Sequence, residues 1–464
     1  MTIARNRMGR ALTLTLTAFL LTAIPSCEQV RGNLLEAIDP DLILPITIST
    51  PEAADALRVG QIARIRGITA GGEGVWMLGG LLTDEWKSSD TFSQRNETDQ
   101  RFIQESNGNV QSMYKALHRL RTTGHEALNA LNKYKPSPAW GLGQMYLGMG
   151  MGEMMLAENF CNGIPLGDGS SGAPVYGPPL SNAAILAIAL AHLDSAINLA
   201  LPATDANAVI LSNIARIHKA RVQVDLGQFN AAAATVAGIP TSMGEVLVTY
   251  SLTSGDNQVW SLNTSAKRWT VGDSVDAAGR IANAIPFASM NDTRVRVTGS
   301  TLGTSSLGRG FDATTNLVAQ SFYGRSDGAY LATGIDARLI EAEARLQAQD
   351  IPGMMTILNA LRTAVQKLAP NYSTVTMTAL ANPATQSDAV NLFFREKALW
   401  QFSRGFRVND LRRMIRQYGR TQDQVFPTGI FFKSGTPYGV DVNFPVTTDE
   451  YNNPEFKGCT DRKA

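Results

Sequence analysis

Apolar residues recur every three or four positions through most of the chain between residues 49 and 239, and this spacing predicts amphipathic helices. In the run 109–134 the repeated apolar positions are Tyr114, Leu117, Leu120, Leu128 and Leu131. The runs 181–200 and 206–226 show the same spacing. The first helix is predicted to begin at Pro51, because Thr50 supplies a capping hydroxyl and proline suits the first helical position.

Two segments predict helical hairpins. In Ala215–Gly238, a helix with small residues at Ala215 and Ala220 ends at Gly227, and an alanine-rich helix follows at once. Small residues at close contacts, a glycine turn and a return helix are typical of tetratricopeptide-type hairpins. The pattern recurs in Ala337–Leu368, where Asp350-Ile351-Pro352 separates the two helices. The repeats are degenerate, so an irregular array is predicted rather than a regular solenoid.

Residues 240–330 have a different pattern. Short apolar runs are separated by Gly, Ser, Thr, Asn and Asp, which predicts a loop-rich insertion containing short strands. Long loops on a rigid scaffold are where binding residues collect. The predicted fold is therefore mainly α, with a helical-hairpin scaffold over 49–239 and 331–418. The tail, residues 419–464, is predicted to be irregular.

The N-terminal 26 residues are typical of a secretory signal peptide. Three arginines and no acids precede a short apolar stretch, residues 11–25, that is too short to span a membrane. A small residue directly before Cys27 resembles the bacterial lipoprotein box, in which the cysteine is acylated and becomes the mature N-terminus. Residues 27–48 then predict a lipid-anchored tether. The alternative is an ordinary signal peptide followed by a chance cysteine.

Composition and charge exclude two classes of protein. The chain is 44% hydrophobic and 17% charged, which is unlike a disordered chain. Its formal net charge is +1, and loss of the three signal-peptide arginines leaves 38 basic against 40 acidic residues. A near-neutral chain lacks the basic surface that nucleic-acid binding requires, so no nucleic-acid partner is predicted.

Two cysteines, Cys161 and Cys459, remain in the predicted mature chain. In an oxidising compartment they would be able to form a disulfide, but spacing in sequence does not give the distance between them. The sequence leaves a disulfide and two buried free thiols as equal alternatives.

Motifs for common catalytic and metal sites are missing from the sequence. It contains no HExxH, no P-loop and no G-x-S-x-G elbow, and its four histidines lack ligand spacing. Asp84 and Glu85 are both acidic, but neighbouring side chains point in different directions on most backbones, and no second acid is marked out for glycosidase chemistry. The sequence therefore predicts a binding protein with no metal and no cofactor, rather than an enzyme.

Four stretches carry distinctive combinations of residues. They are Thr83-Asp84-Glu85-Trp86; Glu158-Asn159-Phe160-Cys161-Asn162-Gly163-Ile164-Pro165-Leu166; the run from Arg395-Glu396 through Gly405-Phe406-Arg407 to Asp410-Leu411-Arg412-Arg413; and Phe444-Pro445-Val446 followed by Asn453-Pro454. In their order and spacing these stretches resemble the SusD/RagB family, the surface lipoproteins of bacterial nutrient uptake. The resemblance spans nearly the whole chain.

The third stretch also has a structural interpretation that is independent of the family. Residues 388–403 predict an amphipathic helix, Gly405 suits a left-handed turn, and a second helix is predicted over 408–418. The side chains predicted to pair across this helix–turn–helix are Arg395, Glu396, Arg407 and Asp410. Arg404 departs from the family pattern, which commonly has an acidic residue there. The alternative is that the arginines between residues 404 and 420 bind nucleic acid or phosphate.

The resemblance implies that the chain captures a nutrient at the outer membrane, at the cell surface, and passes it to a SusC-like TonB-dependent transporter. In that family the ligand is often a glycan held by stacked aromatic side chains and a few polar groups. The candidates here are Trp76, Trp86, Asp84 and Asn96 in the early loop, and Trp260, Trp269, Phe322 and Tyr323 in the insertion. Each aromatic side chain has core packing as its alternative role. Lys87 and Arg95 would favour an acidic ligand, or form a solvated face.

Two other functions remain open at this point. A helical-hairpin lipoprotein would also serve as a scaffold or assembly protein of the outer membrane, offering a concave surface to a protein partner. A surface enzyme would turn over a glycan or a peptide. The long insertion and the arginine–aspartate stretch favour nutrient capture over both.

Overall fold

Several helices begin at a residue whose side chain caps the first turn. The computed structural model describes residues 48–169, 175–276, 279–301 and 304–464. Helix α1 begins at Pro51, and the Thr50 hydroxyl accepts a hydrogen bond from the amide of Ala53. Ser181 and Asp205 cap the starts of two later helices in the same way. The predicted signal peptide, Cys27 and nearly all of the tether lie outside the described residues and stay predictions.

The first half of the chain is mostly helical. Its helices are α1 (Pro51–Ile68), α2 (Val75–Leu82), α3 (Ser93–Asp99), α4 (Gly108–Tyr134), α5 (Ala139–Asn159), α6 (Asn182–Leu199), α7 (Ala206–Asp225) and α8 (Phe229–Val236). The later helices are α9 (Gln258–Trp260), which continues as a π-helical turn over Ser261–Ser265, then α10 (Gly334–Gln347), α11 (Ile351–Thr363), α12 (Gln386–Trp400), α13 (Arg407–Tyr418) and α14 (Gln422–Val425). Residues 49–464 form one compact unit.

Short strands form antiparallel pairs within and beside the predicted insertion. The pairs are β1 (Trp86–Ser88) with β5 (Trp269–Val271), β2 (Ile164–Pro165) with β3 (Pro179–Leu180), β4 (Gly244–Glu245) with β12 (Ala332–Thr333), β6 (Val275–Asp276) with β7 (Gly279–Arg280), β8 (Val297–Thr298) with β11 (Ala319–Gln320), and β9 (Ser300–Thr301) with β10 (Thr304–Ser305). The predicted fold class, a mainly helical array with a loop-rich insertion of short strands, is confirmed.

Successive helices pack against one another as hairpins. Helices α7 and α8 form the first predicted hairpin, and Gly227 adopts a left-handed φ of +75° at the turn. Helices α10 and α11 form the second, where the Asp350 carboxylate caps α11 by accepting from the amide of Gly353. Ala215, Ala220 and Ala342 are fully buried at the contacts, as tetratricopeptide-type packing requires.

Helix α5 lies at the centre of the scaffold. A Cβ atom at Gly150 would lie 2.9 Å from Cγ of Leu193 in α6, so only glycine allows the two helices to come this close. On another side of α5, a Cβ atom at Gly148 would overlap the side chain of Gln61 in α1. In the described part of the chain, α6 is the one helix long and apolar enough to cross a membrane, a test that core helices also pass.

The helix–turn–helix differs from the prediction in its pairing. Helix α12 ends at Trp400, earlier than predicted, and the connection that follows has left-handed φ values at Ser403 and Gly405. The four predicted partners do not pair with one another. Glu396 binds Arg294 and Arg362, Arg407 binds Asp84, and Asp410 binds Lys397. Arg395 is exposed and has no ion pair within the described ranges.

The physical reason for this correction is burial. Glu396, Arg407 and Asp410 are each at most 6% exposed, so each needs a close partner of opposite charge, and the nearest ones come from other segments. Arg404, which departs from the family pattern, is similarly buried and makes hydrogen bonds of 2.9 and 2.8 Å to the two carboxylate oxygens of Asp336.

The four stretches that carry the family resemblance meet at one junction. Asp84 of the first binds Arg407 of the third, and the backbone amide of Ser403 donates to Glu85 at 3.0 Å. Asn409 of the third donates to Glu158 of the second, and the amide of Phe444 in the fourth donates to the carbonyl of Asn159. These stretches therefore hold distant parts of the chain together.

A disulfide joins Cys161 to Cys459, with their Cα atoms 5.9 Å apart. It resolves the alternative that the sequence left open. The bond attaches the C-terminal tail to the end of helix α5, beside the junction of the four stretches.

Candidate ligand-binding platform

Most of the aromatic residues predicted to contact a ligand lie in the core. Their exposed fractions are 0% for Trp86 and Trp269, 2% for Trp76, 7% for Phe322 and 5% for Tyr323. Stacking on a sugar requires an open ring face, and these five side chains are covered by protein. The structure therefore supports their alternative role, core packing.

Three of these buried rings, Trp86, Phe322 and Tyr323, belong to a connected aromatic cluster. Trp86 lies 5.5 Å from Phe402 between ring centroids, and Phe322 stacks on both Tyr372 and Phe402, at 4.5 and 5.6 Å. The indole nitrogen of Trp86 donates a hydrogen bond to Ser403. Trp86 belongs to strand β1, so this cluster connects the short β1–β5 pair to the core.

The β1–β5 pair leads to two exposed aromatic side chains. Strand β1 ends at Ser88, and Phe92 follows four residues later at the start of α3. Strand β5 begins directly after Arg268, whose guanidinium lies over Phe92 and Phe311. Phe92 is 53% exposed and Phe311 is 50% exposed. We call these three side chains, Phe92, Arg268 and Phe311, the platform.

Arg268 holds the platform together. Its guanidinium carbon lies 3.8 Å from the centroid of the Phe311 ring and 5.0 Å from that of Phe92. A cation over an aromatic face is attracted by the electrons of the ring. The same guanidinium donates to Asp90 at 2.8 Å, which fixes its position. The platform is thus two half-exposed rings joined by one anchored cation.

Asp90 anchors the platform by accepting a hydrogen bond from Arg268. Its carboxylate is fully buried and binds both Arg268 and Arg95. Burial alone would raise the pKa of Asp90, but the hydrogen bonds from Arg95 and Arg268 outweigh it and hold the pKa below its usual value. Asp90 is therefore ionised, and it keeps the guanidinium of Arg268 in place between the two rings.

The loop that carries Phe311 is fixed by a second ion pair. Lys433 binds Asp312 at 2.7 Å and also donates to Asn96 and to the backbone carbonyl of Asp90. Burial opposes ionisation of Asp312, but hydrogen bonds from Lys433 and Thr315 lower its pKa to about 2. Both ring-bearing segments are thereby attached to the same ammonium group.

The remaining predicted site residues have mixed positions. Asn96 is partly exposed, and it supports the platform through Ser88 and Lys433. Asp84 is buried against Arg407, so it is not free to bind a ligand. Trp260 is half-buried, with the guanidinium of Arg325 5.9 Å from its ring centroid, and it stays a prediction.

The two basic residues predicted to favour an acidic ligand are also buried. Lys87 is 7% exposed and lies 4.8 Å from the ring centroid of Phe432. Arg95 is 5% exposed and pairs with Glu73 and Asp90. Neither one forms the solvated face that was the alternative.

Sequence reasoning missed Phe92, Arg268, Phe311 and Lys433. A signal for the two rings was present, because Phe92 lies between Thr91 and Ser93 and Phe311 lies between Gly310 and Asp312. A single aromatic residue in a polar loop lacks the apolar neighbours that core packing provides. No comparable signal marked Arg268 or Lys433, because their partners are distant in sequence.

The platform is chemically suited to binding. It offers two flat apolar faces, a guanidinium and nearby polar groups, which together fit a ring with an apolar face and hydroxyl groups at its edge. Among the residues that the structure describes, no three His, Cys, Asp or Glu side chains are grouped so as to hold a metal ion.

Comparison by sequence finds no family model that matches the chain, and no curated protein that matches it. Comparison by structure finds close similarity of fold. A SusD-like carbohydrate-binding protein from Bacteroides vulgatus superposes with a TM-score of 0.62 at 12% identity, covering 88% of this chain and 98% of that one. A SusD/RagB family protein from Bacteroides thetaiotaomicron superposes with a TM-score of 0.59 at 13% identity, covering 87% of this chain and 94% of that one.

A third similar structure is surface glycan-binding protein A from Bacteroides uniformis. It superposes with a TM-score of 0.60 at 14% identity and covers 88% of this chain and 99% of that one. Similarity over nearly the full length of each chain confirms the resemblance inferred from the four stretches. The chain has the fold of the SusD/RagB proteins.

Proposed function

We propose that this chain is an outer-membrane lipoprotein that binds a glycan on the platform and delivers it to a SusC-like TonB-dependent transporter. The observation that carries the proposal is the pair of half-exposed rings, Phe92 and Phe311, held around one anchored guanidinium. The SusD-like fold supports it, because solved proteins with this fold include ones described as carbohydrate-binding and glycan-binding.

The chemistry of the platform favours a sugar over a purely apolar ligand. Pyranose rings present C–H groups on one face, which pack on aromatic rings, and hydroxyl groups at the edge, which hydrogen-bond to charged side chains. Both ring centroids lie within 5.0 Å of the guanidinium carbon of Arg268, so one oligosaccharide would be able to contact Phe92 and Phe311 together. Binding without catalysis is proposed, since the platform presents no paired acid and base.

Replacement of both rings tests the binding site. The variant Phe92→Ala/Phe311→Ala is expected to lose at least tenfold in affinity for glycans that bind the wild type, because both stacking faces are removed. Binding is measured first on a glycan array and then by isothermal titration calorimetry. Tyr451→Ala is the matched control, because Tyr451 is 50% exposed and does not belong to the platform. Equal affinity in the double variant and the wild type would exclude the platform as the site.

The lipid anchor and the transporter are tested in cells. Cys27→Ala is expected to release the protein from the membrane fraction, because acyl chains attached to Cys27 would supply the anchor. Co-purification of the wild type with a TonB-dependent barrel is expected from detergent-solubilised outer membranes. Membrane retention of the Cys27→Ala protein would contradict the anchor, and purification without any barrel would contradict the delivery step.

A further inference from the structure

Three arginine side chains line one groove on the scaffold. The groove lies between helices α1 and α4 and has a volume of about 460 Å³. Arg64 and Arg66 come from α1, and Arg119 comes from α4. We call it the Arg64–Arg119 groove. Its width depends on small residues, since a Cβ atom at Gly60 or Gly67 would meet no other heavy atom within 4 Å.

The three guanidinium groups form no close ion pair with the protein, although Glu126 attracts Arg64 electrostatically and the guanidinium of Arg66 lies 5.7 Å from the ring centroid of Tyr250. Within the described ranges none of them lies within 4.0 Å of a carboxylate, and none donates a side-chain hydrogen bond. The Nε atom of Arg66 is buried and has no hydrogen-bond partner. Arg64 and Arg119 are exposed, so their positive charges are accessible to an anion from solvent.

Arg64 and Arg119 also repel each other. Partial burial lowers the pKa of Arg64, and the positive charge of Arg119 lowers it further, while Glu126 acts in the opposite direction. Like charges held close together destabilise a fold unless an anion is placed between them. The groove thus has the electrostatic properties of an anion site that no side chain of the described chain fills.

We propose that the Arg64–Arg119 groove binds a phosphate or sulfate ester carried on a group of saccharide size. Guanidinium groups hydrogen-bond well to oxyanions, and an ester of this kind offers three terminal oxygens to three arginines, where a carboxylate offers two. The volume falls in the range of roughly 300 to 1,000 Å³ that is typical of small-molecule sites, and a bare ion would leave most of it empty. This proposal does not depend on the platform.

The first experiment measures binding of inorganic phosphate, inorganic sulfate and glucose 6-sulfate to the full chain by calorimetry at constant ionic strength. Arg64→Gln/Arg119→Gln is expected to weaken binding of each anion at least tenfold, because two charged donors are removed. The matched control is Arg345→Gln, which removes a charge from an arginine that is 61% exposed in its side chain and lies in another helix. The control is expected to bind within twofold of the wild type.

A second variant reduces the volume of the groove without changing its charge. Gly67→Leu keeps all three arginines and places a side chain in the open space of the groove. The substitution is expected to weaken the binding of glucose 6-sulfate at least tenfold and to leave the affinity for inorganic sulfate within threefold of the wild type. Thermal melts of every variant establish that each one folds. Phe92→Ala/Phe311→Ala is expected to bind the anions as the wild type does, so failure of the platform and failure of the groove are distinguishable.

The source of the ester is tested with two further probes. Glucose 6-phosphate represents a free saccharide ester, and vesicles of phosphatidic acid in phosphatidylcholine represent a lipid phosphate monoester. Binding that requires Arg64 and Arg119 supports the proposal with either probe, and the probe that binds identifies the source. If no anion or vesicle binds in a way that depends on these arginines, the proposal is wrong.

Discussion

At the scale of single residues, Glu85 is a buried acid with a strongly raised pKa. It is 1% exposed, and its one hydrogen bond comes from the backbone amide of Ser403. Burial raises its pKa to about 8, the Ser403 amide opposes the rise, and the neighbouring charge of Asp84 adds to it. Glu85 is therefore protonated at neutral pH in the folded protein.

This gives a prediction with a definite sign. Unfolding exposes Glu85, which then ionises near its ordinary pKa of 4.5, so a proton is released and stability falls as pH rises from about 4.5 to 8. Glu85→Gln removes this penalty. The free energy of unfolding of the variant is expected to match that of the wild type near pH 4 and to exceed it by about 1–3 kcal/mol at pH 8.

The measurement is urea unfolding at several pH values, compared between Glu85→Gln and the wild type. The difference in free energy of unfolding should widen between pH 5 and 8. A constant difference over that interval would show that Glu85 is ionised in the folded protein.

The residue scale also shows the limits of sequence reasoning. Trp86 lies among charged and polar neighbours in sequence, so it was predicted to be a ligand contact. It is covered by strand β5 and by Ser403, which are about 180 and 317 residues away in the sequence. The residues next to Trp86 in the sequence do not indicate which distant segments will cover it. Asn96 binds Lys433, which also binds Asp312 beside Phe311, and the role of Asn96 as a ligand contact stays a prediction.

At the scale of elements, buried ion pairs hold helices to loops. Arg407 at the start of α13 makes hydrogen bonds of 2.7 and 2.9 Å to both carboxylate oxygens of Asp84, which lies between α2 and β1. Both side chains are at most 6% exposed. Removing either partner leaves a charge in the interior without compensation.

We therefore expect Asp84→Asn to destabilise the protein by about 3–5 kcal/mol, with a similar cost for Arg407→Met. In a double-mutant cycle the combined variant should lose much less stability than the sum of the two single losses, because the two side chains stabilise the fold as a pair. Arg345→Gln breaks an exposed pair with Asp350 and should change stability by less than about 1 kcal/mol. Additive losses at Asp84 and Arg407 in chemical denaturation would contradict the pairing.

Close approach of helices gives a second test at this scale. Gly150→Ala places a Cβ atom 2.9 Å from Leu193 and should destabilise the protein by about 1–3 kcal/mol through overpacking of α5 against α6. Gly60→Ala adds the same methyl group to α1 in open space, where better helix propensity should stabilise by up to about 1 kcal/mol. Thermal unfolding of the two variants should shift in opposite directions, and equal shifts would exclude the close contact.

Helices were the part of the fold that the sequence predicted well. Apolar spacing and capping residues are local signals, so α1, α4, α6 and α7 begin and end close to the predicted positions. The pairing of Glu396, Arg407 and Asp410 was wrong, because each partner comes from a segment that packs nearby only in the folded chain.

At the scale of the whole molecule, the described unit is a helical scaffold whose insertion and tail are attached through the junction of the four stretches. The platform and the Arg64–Arg119 groove are built from different elements of that scaffold. The two proposed ligand sites therefore share none of these elements, so each is testable without the other.

The Cys161–Cys459 bond has a consequence for resistance to proteases. Its two cysteines are 298 residues apart, so the insertion and most of the scaffold lie within one covalent ring. The exposed turn at residues 251–255, where Leu252 is 70% exposed, is an accessible place for a protease to cut.

Limited proteolysis at that turn is expected to give one band on a non-reducing gel and two bands after reduction. A Cys161→Ser variant should give two bands under both conditions, and separation of the wild-type fragments without reductant would contradict the bond. Because a single cut between Cys161 and Cys459 opens the ring without dividing it, a protease would have to cut the ring twice before any part of the ring separated from the protein.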